Sequence, residues 1–448
     1  MMKTEMFFWG GLSTIGGNII EIRYGKDRVI FDFGLNYNPA DVLLANARGR
    51  KNKRVADMLK LNMIPKIEGI YEAKDIELTK LTLKSESESD FNTAIFVSHL
   101  HLDHMGAIDT ISPNIPVYFS KESKELYEQL VKVGEGPFKA LDEIKTFNYK
   151  EPIEIGQIKV TGYQIDHDVH GSSAILVETP DKSFCYSGDI RMHGRRPELN
   201  EIWLEEMRIK NVDYLLMEGT TFQPKRDHVD EKQPKRITYS EPEITDIFVE
   251  KLKAATGVAF FNFYHRNLER LNALIEASVK TERTIVFETA TAQIASVFFP
   301  SVAFKILEKN TEETPLAKWE QKLYETYETI TIQQLNENPS AYFVQNSFEN
   351  ILSLVDYKLE GSIYIHSNGT PLGAFDPAYA SMLSFLSGLN VSFEPVHVSG
   401  HANKEAILEM IDKIKPKTLV PWHSLDPKLV VPLDSEQVVF HPELKTWY

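Results

Sequence analysis

Short apolar runs that stop abruptly at Gly, Asp, Ser or His recur through the first half of the chain, and they predict strands rather than helices. Asn18–Tyr24 and Arg28–Phe33 are strand-like and meet at Gly25-Lys26-Asp27, a hairpin. Ala94-Ile95-Phe96-Val97, β-branched and aromatic, reads as a short buried strand. Ile158–Ile165, Ser173–Glu178, Phe184–Ser187 and Asp213–Glu218 follow in the same manner, with a helix over Lys121–Lys132 before them. From about Phe222 the texture changes. Pro224–Lys235 is charged and Pro-containing, a crossing between domains. Helices over Glu243–Ala254 and Asn267–Val279 then alternate with strands over Val258–Phe263, Thr284–Glu288 and Gly361–Ile365, the signature of an α/β unit with a parallel sheet. Near the end, Ile407, Met410, Ile411 and Ile414 share one helical face behind Asn403, a plausible N-cap. Thr418–Pro421 is a final strand, with His423 at its end. Residues 36–93 are the least patterned and read as an insertion. Their basic run of Arg48, Arg50, Lys51, Lys53 and Arg54 is a solvated face in preference to a substrate contact.

Several of these strands deliver metal-ligand chemistry at their ends. Directly after Val97 comes Ser98-His99-Leu100-His101-Leu102-Asp103-His104-Met105-Gly106. His99 and His101 would diverge by about 200° on a helix but share a side in an extended segment. With Asp103 and His104 they suit a borderline divalent ion such as zinc. Of thirteen histidines in the chain, three fall in this one loop, so chance clustering is a poor explanation. Other strand ends carry Asp32 in Phe-Asp-Phe-Gly, His167 in Asp-His-Asp-Val-His-Gly, Asp189 in Ser-Gly-Asp, and Glu218. A carboxylate buried like Asp32 is costly unless paired, which gives it an orienting role behind metal ligands. The Gly-rich turn from Gly10 to Gly17 reads equally as a plain loop and as an edge of the active site.

The pattern His-x-His-x-Asp-His resembles the signature of the metallo-β-lactamase superfamily. That likeness implies an αββα sandwich in which His99, His101, His167 and Asp189 hold one metal. Asp103, His104 and Asp189 hold a second, with His423 completing it. His170 is a rival to His167, which fits better because Gly171-Ser172-Ser173 leads into a strand. Glu218, His401 in Ser-Gly-His-Ala and His423 in Pro-Trp-His resemble the additional motifs of the β-CASP nucleases, within which the ribonuclease J family is the nearest match. The resemblance implies a first catalytic part over residues 1–222, an inserted α/β β-CASP domain over 223–390, and a catalytic return over 391–448. It departs from the pattern at Trp422 and Ser424, and in having a glutamate at 218. The implied activity is hydrolysis of phosphodiesters in an inter-domain cleft, two cations activating water and clamping the phosphoryl oxygens. Zinc is the expected metal and manganese the alternative. Asp32, Asp103, Glu218 and His401 take the catalytic and orienting roles, His401 serving the leaving oxygen. Arg266, Arg270, Ser367, Asn368, Gly369, His397, Ser399 and Gly400 are the candidates for substrate contact. Ser367-Asn368-Gly369-Thr370 could equally be an ordinary strand-end turn. The competing activity is opening of a small ester, thioester or lactone on the same core.

Composition narrows the partners. Net charge is −15, from 49 basic and 64 acidic residues, which argues against a protein that coats nucleic acid through a broad basic face. It leaves room for a nuclease whose positive potential is supplied locally by cations. RNA is expected over DNA, with self-association into a homo-oligomer allowed. Cys185 is the sole cysteine, so an internal disulfide and a cysteine zinc cage are both excluded. Met6-Phe7-Phe8-Trp9 is too short for a signal-peptide core, and no run nears the roughly 18 apolar residues of a membrane span, so a cytoplasmic location without membrane contact is expected.

Overall fold

The computed structural model describes residues 2–36, 49–50, 52–224, 239–309 and 315–448. Arg48 and Lys51 of the basic run, and most of the expected crossing at 224–235, lie outside the described residues. The fold is α/β. Two compact units divide it: residues 1–131, 136–234 and 400–448 in one, and 132–135 with 235–399 in the other.

In the first unit two six-stranded sheets lie face to face. One is β1 (Thr4–Phe8), β2 (Ile20–Tyr24), β3 (Asp27–Phe31), β4 (Asn92–Phe96), β5 (Val117–Ser120) and β6 (Lys145–Phe147), in that order. The other runs β19 (Thr418–Trp422), β11 (Tyr214–Glu218), β10 (Ser183–Tyr186), β9 (Ser173–Glu178), β8 (Ile158–Gln164) and β7 (Pro152–Ile155). Period-two alternation sends Phe8, Ile20, Val29, Phe31 and Phe96 from the first sheet into a common core with Val160, Ile175, Tyr186, Leu216 and Trp422 from the second. The alternate residues of the second sheet, among them Leu176, Cys185, Leu215 and Leu419, face helices Pro197–Lys210 and Lys404–Ile414. On the outside of the first sheet, Tyr127 of helix Lys121–Val133 packs edge-on against Phe119 of β5. Helix, sheet, sheet and helix are therefore layered in that order.

The stretch read as an insertion contains two short helices, Arg54–Lys60 and Ala73–Glu77, and buries Leu59, Ile67, Ile70 and Tyr71. Its basic residues are paired: Arg50 with Asp57, and Arg54 Nε with Asp109 Oδ2 at 3.0 Å. Met6-Phe7-Phe8 forms the larger part of β1.

The second unit is built on a seven-stranded parallel sheet. Its order is β15 (Thr329–Ile330), β14 (Lys305–Leu307), β13 (Thr284–Phe287), β16 (Tyr342–Gln345), β12 (Ala259–Phe263), β17 (Ile363–Ser367) and β18 (Ser392–Pro395). Helices Ile244–Ala254, Leu268–Lys280, Thr289–Phe298 and Pro377–Gly388 connect its strands. The catalytic return expected at 391 comes at 400, because β18 pairs in parallel with β17 and holds residues 392–395 in this sheet. The strand expected at Gly361–Ile365 is shifted to Ile363–Ser367, since Gly361 adopts a left-handed turn conformation with φ 69°. Among the described residues no helix is long and apolar enough to cross a membrane.

Candidate metal centre

All the chemistry of the first unit collects at one rim, and strand direction explains why. β3 and β4 run parallel, as do β10, β11 and β19. β8 and β10 are both antiparallel to β9, so they point the same way. The carboxyl ends of β3, β4, β8, β10, β11 and β19 hand on Asp32, the His99–His104 loop, His167, Asp189, Glu218 and His423 respectively. Asp32 and His423 take left-handed backbone angles, φ 58° and 48°, unusual for residues other than glycine. Gly34 lets the loop pass closely, since a Cβ there would stand 1.6 Å from the carbonyl oxygen of Asp103.

Three groups of ligating atoms result: His99, His101, His167 and Asp189; Asp103, His104, Asp189 and His423; and Asp189, Glu218, His401 and His423. His170 belongs to none of them. In the first, His101 Nδ1 lies 3.1 Å from His99 Nε2 and 3.2 Å from His167 Nε2. Four ligands around an ion at zinc–nitrogen bond lengths have edges of about 3.3 Å. In the second, His104 Nε2 is 3.1 Å from Asp189 Oδ2, and His423 Nε2 is 3.2 Å from Asp103 Oδ2. Asp189 Oδ1 stands 3.3 Å from His423 Nδ1, while Asp189 Oδ2 is buried without a well-formed hydrogen bond. Imidazole nitrogens this close, around a carboxylate oxygen with no donor of its own, fit a divalent cation.

Electrostatics agree with that fit. Burial, and then neighbouring imidazoles, push His99 well below the usual histidine range. Burial likewise lowers His101 to about 4 and depresses His167. These rings are neutral, as metal ligands must be. Burial would also depress His104, but Asp189, Asp103 and Asp32 overcome it and hold the ring well above its ordinary value. His401 is raised to about 10 against its burial, by Glu218 and then Asp189. The field at this end of the site attracts positive charge.

Behind the ligands lies a set of partners. Asp32 accepts from Ser98 N at 2.7 Å, Ser98 Oγ at 2.9 Å and Tyr186 Oη at 2.5 Å, and stands 2.7 Å from His104 Nδ1. His167 Nδ1 donates to the Gly400 carbonyl at 2.5 Å. Glu218 Oε1 pairs with His401 Nδ1 at 3.1 Å, and Glu218 Oε2 accepts from Thr220 N at 3.0 Å. Thr220 Oγ1 lies 2.8 Å from His423 Nδ1, and Asn18 Nδ2 lies 2.9 Å from His104 Nε2. Sequence reading assigned nothing to Asn18, Ser98, Tyr186 or Thr220. The closing Asn of the Gly-rich turn, and the Ser that opens the histidine loop, were the only signals available for two of them. The Gly-rich turn borders the centre, since the Gly11 carbonyl accepts from His423 N at 2.8 Å.

In the second unit, the candidates for substrate contact fall into two kinds. Arg270 is buried: its guanidinium is held by both carboxylate oxygens of Glu241, each at 2.9 Å, and reaches Ser367 Oγ at 2.5 Å and Asn368 Oδ1 at 3.2 Å. It supports the 367–370 turn from within. Arg266, also buried, donates to the Glu135 carbonyl at 2.8 Å and precedes the helix rather than opening it. Asn368, with φ 60°, ties its amide to the Val398 backbone through bonds of 3.1 and 3.2 Å, and Asn262 Nδ2 donates to the Thr370 carbonyl at 2.7 Å. These bonds draw the 367–370 and 397–399 turns together, with Ser399 exposed, His397 half-buried and Gly369 buried. Gly400 belongs to the first unit.

Residues 82–244 match the beta-lactamase superfamily domain, and residues 389–429 match the Zn-dependent metallo-hydrolase RNA specificity domain. Proteins named ribonuclease J are similar along nearly the whole chain. That of Pyrococcus abyssi is 23% identical over 437 residues, covering 94% of this chain and 89% of its own. That of Methanocaldococcus jannaschii is 23% identical, covering 94% and 91%. A crystal structure of a protein of unknown function from Enterococcus faecalis V583 superposes with a TM-score of 0.80 at 28% identity, over 100% of this chain and 99% of the other.

Proposed function

From the premise that the chain belongs to the metallo-β-lactamase superfamily, in the β-CASP ribonuclease group, we propose that this metal-dependent ribonuclease cleaves RNA with two divalent ions. The observation that carries the two-ion reading is Asp189, whose carboxylate stands among the imidazoles of both ligand groups. When bound, the ions would supply an acidified water and a clamp on the phosphoryl oxygens. His99, His101, His167 and Asp189 would hold the first, and Asp103, His104, His423 and Asp189 the second. A donor set rich in imidazole, with no thiolate, suits zinc.

The remaining roles belong to the protein. Asp32 fixes His104 by taking the proton of Nδ1, which leaves Nε2 free to ligate. Glu218 does the same for His401 at Nδ1, so that the proton on Nε2 faces the reacting group. With its value raised to about 10, His401 carries that proton at neutral pH and gives it to the leaving oxygen. The turns at 367–370 and 397–400 bind the substrate's phosphates, Arg270 acting through Ser367 and Asn368. RNA as substrate and a lone, buried cysteine together suit the cytoplasm. The test is purified protein with 5′-phosphorylated, 5′-hydroxyl and circular RNAs, each with and without chelator. Cleavage abolished by chelator and restored by zinc or manganese is expected, and the three substrates separate end-dependent from internal cutting. Equal cleavage in saturating chelator refutes the reading.

A further inference from the structure

Asp168 has no part in the roles above, yet it sits where a ligand would. It follows His167 in the loop after β8, and its side chain is 11% exposed. Its Oδ1 is buried and accepts no hydrogen bond. That oxygen lies 3.2 Å from His167 Nε2, a ligand-to-ligand distance, and 3.6 Å from His101 Nε2. A second observation comes from the opposite side of the loop. A Cβ on Gly400 would stand 2.6 Å from Asp168 Oδ1 and 2.8 Å from its Cγ, so the backbone there is bare where the carboxylate rests. The Gly400 carbonyl also accepts from His167 Nδ1. One glycine thus seats both the imidazole and the carboxylate next to it.

Charge gives the placement a purpose. The second ligand group has a carboxylate of its own, Asp103, besides the shared Asp189. The first has three imidazoles and only the shared Asp189. A dication held there would be poorly neutralised in a buried site, where uncompensated charge is expensive. We propose that Asp168 is the private carboxylate of the first metal position, a hard oxygen donor added to its three imidazoles, and that it shifts this position toward manganese. Carboxylate oxygen suits manganese, whereas imidazole alone suits zinc better. The inference rests on the two-ion reading.

The test is Asp168→Asn and Asp168→Ser in the full chain, stripped of metal and titrated separately with Mn²⁺ and Zn²⁺ against a chromophoric chelator. Asp103→Asn serves as comparator, and circular dichroism checks the fold of each variant. Both Asp168 variants are expected to bind Mn²⁺ roughly 10–100-fold more weakly at one position, with a smaller change for Zn²⁺. Asp103→Asn should weaken the other position, and the double variant both. Wild-type Mn²⁺ constants in a folded Asp168→Asn or Asp168→Ser protein would overturn the proposal while leaving two-ion binding intact. So would weakening of the same position as Asp103→Asn. If the unaltered chain takes up fewer than two ions, the two-ion reading fails and this inference with it.

Discussion

Replacing Asp32 by Asn would change one atom and reverse one proton. In the native site Asp32 Oδ2 faces His104 Nδ1 at 2.7 Å, so the ring carries its proton there and presents the Nε2 lone pair toward Asp189. An amide in the same place can still accept from Ser98 N and Oγ through its oxygen. Its NH₂ group then meets His104 Nδ1 and can only donate. The ring proton is forced to Nε2, and the lone pair that should bind metal is lost. Hydrogen bonds to charged groups contribute about 1.5–3 kcal/mol, which at about 1.4 kcal/mol per decade is roughly a 10–150-fold loss of affinity. Substitutions behind metal ligands typically cost about 10–100-fold, an independent estimate in the same range. Asn tolerates a left-handed φ, so the metal-free fold should lose little.

Asp32→Ala separates the two effects. It leaves Ser98 N–H and the Tyr186 hydroxyl buried without their acceptor, at about 1–3 kcal/mol each. A left-handed alanine adds about 1–2 kcal/mol. The sum, roughly 3–8 kcal/mol, rivals the 5–15 kcal/mol by which domains are stable. Guanidinium unfolding of the stripped proteins should rank wild type near Asp32→Asn and far above Asp32→Ala, while zinc competition should show the second ion weakened in Asp32→Asn. Native zinc affinity in Asp32→Asn would refute the tautomer argument. A stable Asp32→Ala would refute the hydrogen-bond accounting.

Asp189→Ala should lower occupancy at both positions in elemental analysis, because one carboxylate serves both groups; retention of two ions would remove it from the bridging role. His423→Ala should lose metal first and activity in consequence. His401→Ala should keep both ions and lose roughly 10²–10⁴-fold in single-turnover cleavage; metal loss in His401→Ala alone would reverse the two assignments. His366, buried in the second unit, is depressed to about 4 by burial and then by His397. The unfolded chain titrates near 6.5, so the folded state binds fewer protons between these values, and stability present above about pH 6.5 is lost as pH falls through 4. His366→Leu should shrink the pH 7 to pH 4 loss, followed by urea denaturation, by about 3 kcal/mol; an unchanged acid limb would show that the ring protonates in the folded protein.

Strand ends were legible because a buried strand must be an apolar run, and the residues beyond its end must turn at the surface. That logic locates β3, β4, β8, β9, β10 and β11 within one or two residues, and with them the ligands they deliver. It fails where the pattern is not local. β1 is an edge strand whose Met6-Phe7-Phe8 resembles any short apolar stretch until β2 pairs with it. Helix Thr289–Phe298 is buried on most sides, so its apolar residues mark no single face. Tyr186 reaches Asp32 across 154 residues of sequence and Thr220 reaches His423 across 203. No spacing rule encodes such pairs; they exist because two sheets are packed in one register. Asp168 was in view beside His167, but a carboxylate in a loop is ordinarily solvated, and only the bare backbone of Gly400 against it says otherwise.

Register also accounts for the departures from the family pattern around His423. β19 pairs with β11 so that Trp422 lies opposite Glu218, which sets His423 just past the strand end at the level of Thr220. A slip of one residue would turn His423 to the other face of the sheet and remove it from the ligand group. Trp422 resists that slip: it is fully buried between the sheets, its ring 5.0 Å from that of Tyr186, whose hydroxyl in turn holds Asp32. Ser424, likewise buried, anchors the next turn by donating to the Phe222 carbonyl at 3.0 Å. A large side chain before His423 and a hydroxyl after it therefore replace smaller residues without displacing the imidazole. They fix the last strand to both sheets, and the strained φ at His423 is sustained by contacts on either side of it.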